Sequence, residues 1–289
     1  MTTKILVIGV TGYIGKIIVE GSAKYGHATF ALVRESSLSD PVKAKLVQSF
    51  KDLGVTILYG SLNQRESLVK AIKHVDVVIS AVGRPQILDQ INIIDAIKES
   101  GNVKPTLSEF IMKAQIRRAI EAADIPYTYV VTGCFGFFVP SLGQCHLRLK
   151  SPPRDKVSIY DNGNGKAIIN SEEDIVAYTM KAVDDPRTLN KILYIHPPKN
   201  IVSQNDMVAL WEGKIGKTLE KTYVSEDELL KSIQETQPPM DFVMGLIHTV
   251  LVKSDLTSFT IDPSFGVEAS ELYPEVEYTS VDEFLDQFV

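Results

Sequence analysis

The stretch Gly9-Val10-Thr11-Gly12-Tyr13-Ile14-Gly15 directly follows the apolar run Ile5-Leu6-Val7-Ile8. At this spacing Gly9 makes a tight turn and Gly12 lets backbone approach a pyrophosphate. Gly15 allows a helix to pack closely on the strand. The helix that follows offers unpaired N–H donors and the positive end of its dipole to an anion. Three glycines alone are weak evidence. Their place between a strand and a helix makes dinucleotide binding a stronger reading than a structural turn. Thr11, Tyr13 and Ile14 are expected at the same cofactor.

Arg34 stands where the second apolar run ends. A carboxylate at that point would suit the ribose hydroxyls of NAD. A guanidinium instead suits a 2′-phosphate, to which it can donate two parallel hydrogen bonds. Lys43, in the first turn of the next helix, adds a second charge. Both cations could also be solvated surface groups. Glu35 is the competing residue, since a shift of one would place a carboxylate there. The favoured reading is NADPH, with Arg34 toward the cofactor and Glu35 away from it. The small residues Ala81, Val82 and Gly83 follow the fourth strand and are expected along the ribose and diphosphate. Gln86 either contacts the cofactor or belongs to a plain loop.

These groups need a scaffold of parallel strands and crossover helices. Strands are expected over 5–8, 29–33, 55–58 and 77–79, with helices over 13–25, from Pro41, and over 86–100. Asp40-Pro41 has the order of a cap followed by proline at the first helical position. Val42, Leu46, Val47, Phe50 and Leu53 share one face at helical spacing. Asn63 and Glu66 have the form of a capping box. Alternating strands and helices predict an α/β fold with a doubly wound, Rossmann-type parallel sheet. In the second half, 156–160 and 166–169 flank Asp161-Asn162-Gly163-Asn164-Gly165 and predict a hairpin. A helix is expected over 206–215, and short helices around Ser270 and Asp282. The expected division is a cofactor domain over 1–132 and a smaller α/β substrate lobe over 133–289, with some strands returning to the first domain.

Composition limits the partners. The chain has 289 residues, 44% of them hydrophobic, and a formal net charge of −6. That charge offers no broad basic field to nucleic acid or anionic lipid. Cys134 and Cys145 form neither a disulfide framework nor a metal-ligand cluster, so no metal is expected and a reducing compartment fits. No apolar run approaches membrane-spanning length, and Lys4-Ile5-Leu6-Val7-Ile8 lacks the pattern of a signal peptide. A cytoplasmic monomer or homodimer is the expectation.

The chain resembles the plant isoflavone reductases, phenylcoumaran benzylic ether reductases, pinoresinol-lariciresinol reductases and eugenol synthases, a branch of the NmrA-like atypical short-chain reductases. Gly12-Tyr13-Ile14-Gly15, Leu32-Val33-Arg34-Glu35-Ser36 and Val75-Asp76-Val77-Val78-Ile79-Ser80 carry the resemblance. So do 113–122, Ile125-Pro126-Tyr127-Thr128-Tyr129-Val130, Pro152-Pro153-Arg154-Asp155-Lys156-Val157, 184–194, 210–221 and 266–289. It implies a small aromatic substrate and hydride transfer from NADPH. It also implies that Lys113, four residues before Arg117-Arg118, is a general base toward a substrate phenol. From the residues alone Lys113 reads as a solvated helix lysine. The implied reaction is reduction of a benzylic ether or an isoflavone, with coniferyl esters as the alternative substrate. Phe135 and Phe137 either wall the substrate pocket or fill ordinary core. His248 matches a family histidine and either lines the pocket or is a packed, hydrogen-bonded residue.

One departure is large. Between Lys104 and Pro105 the family carries a further segment with an apolar strand, a Pro-Ser-Glu-Phe-Gly turn and an acidic loop. Its loss predicts a sheet short of one parallel strand, with ladder groups left unpaired. Either the chain is a shortened form, the preferred reading, or residues of the molecule are missing from the sequence. A second function follows from that loss: NADPH binding without turnover.

Overall fold

β1 (Lys4–Ile8) shows why the first strand reads as continuously apolar. Leu6 and Ile8 enter one core, while Ile5 and Val7 enter another on the opposite face. Side chains alternate across a strand, so a sheet covered on both faces needs apolar residues at every position. The computed structural model describes residues 2–100, 104–107, 111–145, 149–238 and 240–289, with backbone alone for 104–107 and 111–113.

Strands and helices then alternate: α1 (Tyr13–Lys24), β2 (Ala28–Val33), α2 (Pro41–Asp52), β3 (Thr56–Tyr59), α3 (Arg65–Ile72), β4 (Val77–Ser80), α4 (Ile91–Ser100), β5 (Lys104–Leu107), α5 (Ile111–Ala122) and β6 (Thr128–Val131). Further along come β7 (Cys134–Phe135), β8 (Lys156–Tyr160), β9 (Lys166–Asn170), α6 (Glu172–Val183), β10 (Lys191–Tyr194), β11 (Ile201–Ser203) and α7 (Gln204–Ile215). The chain closes with β12 (Glu220–Val224), α8 (Glu226–Glu235), α9 (Met240–Ile247), β13 (Gly266–Glu268), α10 (Ala269–Leu272) and α11 (Val281–Leu285). No helix among the described residues is long and apolar enough to cross a membrane.

Two compact units emerge. The first comprises 1–131, 176–194 and 263–267. Its sheet has the order β13-β10-β6-β5-β4-β1-β2-β3. The strands from β3 through to β10 pair in parallel. Helices α3, α4 and α5 cover one face through Leu68, Ile72, Ile93, Ile97, Ile116 and Ile120. Helices α1, α2 and α6 cover the other through Ile18, Val19, Val47, Phe50, Val176 and Met180. This is the α/β, doubly wound Rossmann-type architecture that the alternating pattern implied.

The predicted missing strand is a correction. Lys104-Pro105-Thr106-Leu107 occupies the place between β4 and β6. Four residues of β5 align with β4, and among the described residues Thr106 and Leu107 align with β6. Pro105 has no N–H to give to the ladder, and proline is unusual inside a sheet. The seat is filled by the residues flanking the junction.

The second unit comprises 132–175, 195–262 and 268–289. It holds a three-stranded sheet, β11-β9-β7, and a two-stranded one, β12-β8. Trp211, Leu142, Ile159 and Leu285 are among the buried residues of its core. The predicted hairpin is a second correction, because β8 and β9 pair with different partners. Asp161 and Gly163 both adopt positive φ. Asn205 of α7 donates to the Asn162 carbonyl and to Asn164 Oδ1, at 2.9 Å each. The loop is thus tied to a helix, not folded back as a two-strand turn.

Local signals fared unevenly. Asp40 caps α2 as expected, accepting from the Val42 and Lys43 amides. Yet Val42 is 78% exposed and Leu53 45% exposed, so the buried face of α2 is narrower than its apolar pattern. The Asn63–Glu66 box does not form. Helix α3 starts after Gln64 without a side-chain cap, and Asn63 accepts from Asn92 instead. The helix expected from Gln86 begins only at Ile91, after two short 3-10 turns at Arg84–Gln86 and Leu88–Gln90.

Candidate cofactor cleft

In the first unit, β1, β2, β3 and β4 end side by side, and the turns leaving them enclose a cleft of about 250 Å³. Crevices outside the carboxyl ends of parallel strands are where such sheets bind ligands. The turn after β1 contributes Gly9, Val10, Thr11 and Gly12; the end of β2 contributes Arg34; the turn after β4 contributes Ala81, Val82, Gly83 and Gln86.

The glycine turn is built for close approach. Gly9 has φ +88°, and a β-carbon there would stand 2.5 Å from the Ala81 carbonyl oxygen. A β-carbon on Gly12 would lie 3.1 Å from the Gly9 oxygen, and one on Gly15 would collide with the Gly9 carbonyl. The Gly12 amide closes the turn by donating to Gly9 O at 2.9 Å. No side chain caps α1, and its first turn has no acidic residue. The helix start therefore presents backbone donors and a positive dipole end with no competing carboxylate, which fits a pyrophosphate.

The expected residues divide. Gly9, Thr11, Gly12, Arg34, Ala81, Val82, Gly83 and Gln86 line the cleft together. Tyr13, Ile14, Gly15 and Lys43 are not in its lining. Ile14 packs on the core beneath α1, and Gly15 is buried where α1 meets the turn. Lys43 lies 3.4 Å from Asp40, the cap of its own helix. Ser37, Gly60, Ser61 and Leu62 also line the cleft and were not anticipated. The rule that picked out 81–83 would have found Gly60 and Ser61, because they follow β3 as Ala81 follows β4.

Helix α5 carries Lys113 in its first turn, but the Lys113 side chain lies outside the described residues. Four residues on, the Arg117 guanidinium sits 4.8 Å from the Tyr129 ring centre, and the Tyr129 hydroxyl donates to the Arg117 carbonyl at 3.1 Å. Burial lowers the Arg117 pKa and raises that of Tyr129.

The second unit holds Phe135, Phe137 and His248. The Phe135 and Phe137 rings stack at 5.8 Å, and Phe137 stacks on Phe138 at 4.4 Å. His248 Nε2 is 2.8 Å from Glu226 Oε1, an atom that Lys253 also contacts. A small apolar cavity of about 30 Å³ in this unit is lined by Cys134, Phe138, Met207 and Leu246 among others. Phe135, Phe137 and His248 are not in its lining.

The family model described as "NmrA-like family" matches residues 1–285. This chain belongs to the NmrA-like family. Among curated relatives of this NmrA-like chain, isoflavone reductase homolog P3 of Arabidopsis thaliana is 64% identical, covering 99% of this chain and 98% of the relative. Eugenol synthase 2 of Clarkia breweri is 61% identical, with 99% of each covered. The alignment with the first spans 305 positions for a chain of 289 residues, so it contains positions this chain does not fill. Among solved structures, one from a study of pinoresinol-lariciresinol and phenylcoumaran benzylic ether reductases superposes with TM-score 0.95 at 40% identity, covering 100% of both chains. A structure of AtPrR2 with NADP+ and (+)pinoresinol superposes with TM-score 0.92 at 36% identity, covering 100% of this chain and 99% of that one.

Proposed function

We propose that this chain is an NADPH-dependent reductase of phenylpropanoid-derived substrates, of the phenylcoumaran benzylic ether or isoflavone type. The cleft carries the reading: Arg34 lines it beside the glycine turn, and no carboxylate is among its lining residues. Arg34 donates to the 2′-phosphate, the turn and the start of α1 hold the pyrophosphate, and Ala81, Val82, Gly83 and Gln86 flank the rest. NADPH, when bound, supplies the hydride. Lys113 takes the proton of the substrate phenol, and ring electrons expel a benzylic or allylic oxygen as a phenoxide or carboxylate. Hydride adds to the conjugated carbon system left behind; an isoflavone would instead take hydride at its conjugated carbon–carbon bond. An amine can take the phenol proton only if its pKa falls toward the working pH. Relatives named eugenol synthase and phenylcoumaran benzylic ether reductase, and a neighbour solved with NADP+ and (+)pinoresinol, support the substrate class. We further infer a cytosolic monomer or homodimer, which fractionation and size-exclusion chromatography test.

The deciding experiment incubates the protein with NADPH and a panel of phenylcoumarans, isoflavones and coniferyl esters. Oxidation of NADPH with one of them is expected, and none with any would count heavily against the reading. A second reading is a binding protein without turnover. Favouring it are the alignment longer than the chain and the proline-bearing β5 just ahead of Lys113. Tight NADPH binding without turnover, with turnover recovered when a relative's segment is restored between Lys104 and Pro105, would support it.

A further inference from the structure

Ser80 ends β4, and Gln90 lies just ahead of α4. Both are buried, at 6% and 2% exposure. The Ser80 hydroxyl donates to Gln90 Oε1 at 2.7 Å, and Gln90 Nε2 donates to the Ile87 carbonyl at 3.0 Å. The partners dictate these roles. A carbonyl only accepts, so the Ile87 oxygen must face the amide NH2 group. That leaves Gln90 Oε1 for Ser80, whose hydroxyl must be the donor.

Between the two ends of this bridge lie Ala81, Val82, Gly83 and Gln86, all in the lining of the cleft. The backbone bonds of this connection include Ala81 N–H to Ile8 O at 2.8 Å, Gln86 N–H to Gly83 O at 2.9 Å, and the longer Ile87 N–H to Arg84 O at 3.4 Å and Gln90 N–H to Ile87 O at 3.3 Å. On its other side the Ala81–Val82 peptide lies against Gly9, close enough to bar a β-carbon there. A shift of the connection would therefore move one wall of the cleft and press on its floor. Neither Ser80 nor Gln90 is in the lining, so both act through the residues between them.

We propose that Ser80 and Gln90 are positioning residues, a buried brace that holds the 81–87 connection where a bound dinucleotide needs it. The proposal rests on the NADPH reading above. Buried polar pairs are costly when half-satisfied: removing either partner leaves the other unpaired and frees the connection to rearrange. The effect falls on the dinucleotide as a whole and not on its 2′-phosphate, which the proposal leaves to Arg34.

The test compares Ser80→Ala, Gln90→Leu and the double variant with wild type, by calorimetric titration with NADPH and NADH well below each variant's Tm. Each single variant is expected to lose about tenfold in affinity for both cofactors, with their ratio unchanged. The double variant should be little worse than either single one, because the two share one bridge. Hydrogen exchange of the 81–90 amides in the unliganded protein should quicken. Ser80→Thr and Ser80→Val add the same methyl and differ only in the hydroxyl, so Thr should bind like wild type and Val should not. Folded variants with wild-type affinity, or Thr and Val behaving alike, would overturn the brace and leave the proposed function standing. Failure of the wild-type chain to bind NADPH would sink both.

Discussion

Arg34 and Lys113 are assigned to opposite ends of the reaction, so their substitutions should separate cleanly. Arg34→Ala removes a charge-assisted contact to the 2′-phosphate and should weaken NADPH by about tenfold or more, with NADH nearly unaffected. Titration with both cofactors reads this directly, and equal losses would mean that Arg34 is elsewhere. Lys113→Ala should leave NADPH affinity in place and lower turnover by roughly 10²–10⁴-fold, the usual contribution of a general base. The deficit should shrink at high pH, where the phenol ionises unaided. Lys113→Arg should not rescue, since a guanidinium stays protonated. Arg34 was readable because the end of a strand and a change from apolar to charged coincide there. Ser37 was not, since a serine in a turn has no chemistry of its own until neighbouring strands bring it to a ligand. The role proposed for Lys113 rests on resemblance alone, because one lysine on a helix looks like any other.

At the scale of elements, Gly15 is the sharpest case. It is buried in α1, and any side chain there would strike the Gly9 carbonyl. Gly15→Ala should push α1 off the turn, costing about 1–3 kcal/mol by overpacking and weakening both cofactors alike. Urea unfolding and cofactor titration measure the two effects, and a stable variant with normal binding would contradict the packing. The parallel sheet was legible because apolar runs of strand length alternate with helical periodicity. The pairing of β8 and β9 was not. Asp161-Asn162-Gly163 permits a tight turn, but Asn205, some forty residues on, claims the loop's polar groups. The strand at β5 was missed for a related reason. Strand formation there follows from the open ladders of β4 and β6, and not from the propensity of Lys104-Pro105-Thr106-Leu107.

For the whole molecule, acid stability is a measurable consequence of burial. His196 is largely desolvated, which pushes its pKa down to about 4 against the partial counter-effect of Glu268. The folded state therefore prefers the neutral ring. Stability from this source is complete above the unfolded value of 6.5 and is lost as pH falls from there toward 4. The loss should amount to at most about 3 kcal/mol. His196→Gln should flatten the fall in urea midpoint between pH 7 and pH 5, and an unchanged slope would assign the acid sensitivity to other groups.

The large sheet is not made from one stretch of chain: β6 ends at Val131, while its neighbour β10 starts at Lys191. A ribosome adding about 5–20 residues per second would need roughly 3–12 s to bridge that interval. Throughout it the nascent chain would show an unpaired strand edge at β6 and, until α6 arrives, a core missing Val176 and Met180. Open edges and bare apolar surface recruit other chains. Synthesis therefore has a vulnerable window near its midpoint, and a fragment ending at residue 131 should scatter light as it aggregates, whereas the full chain stays clear.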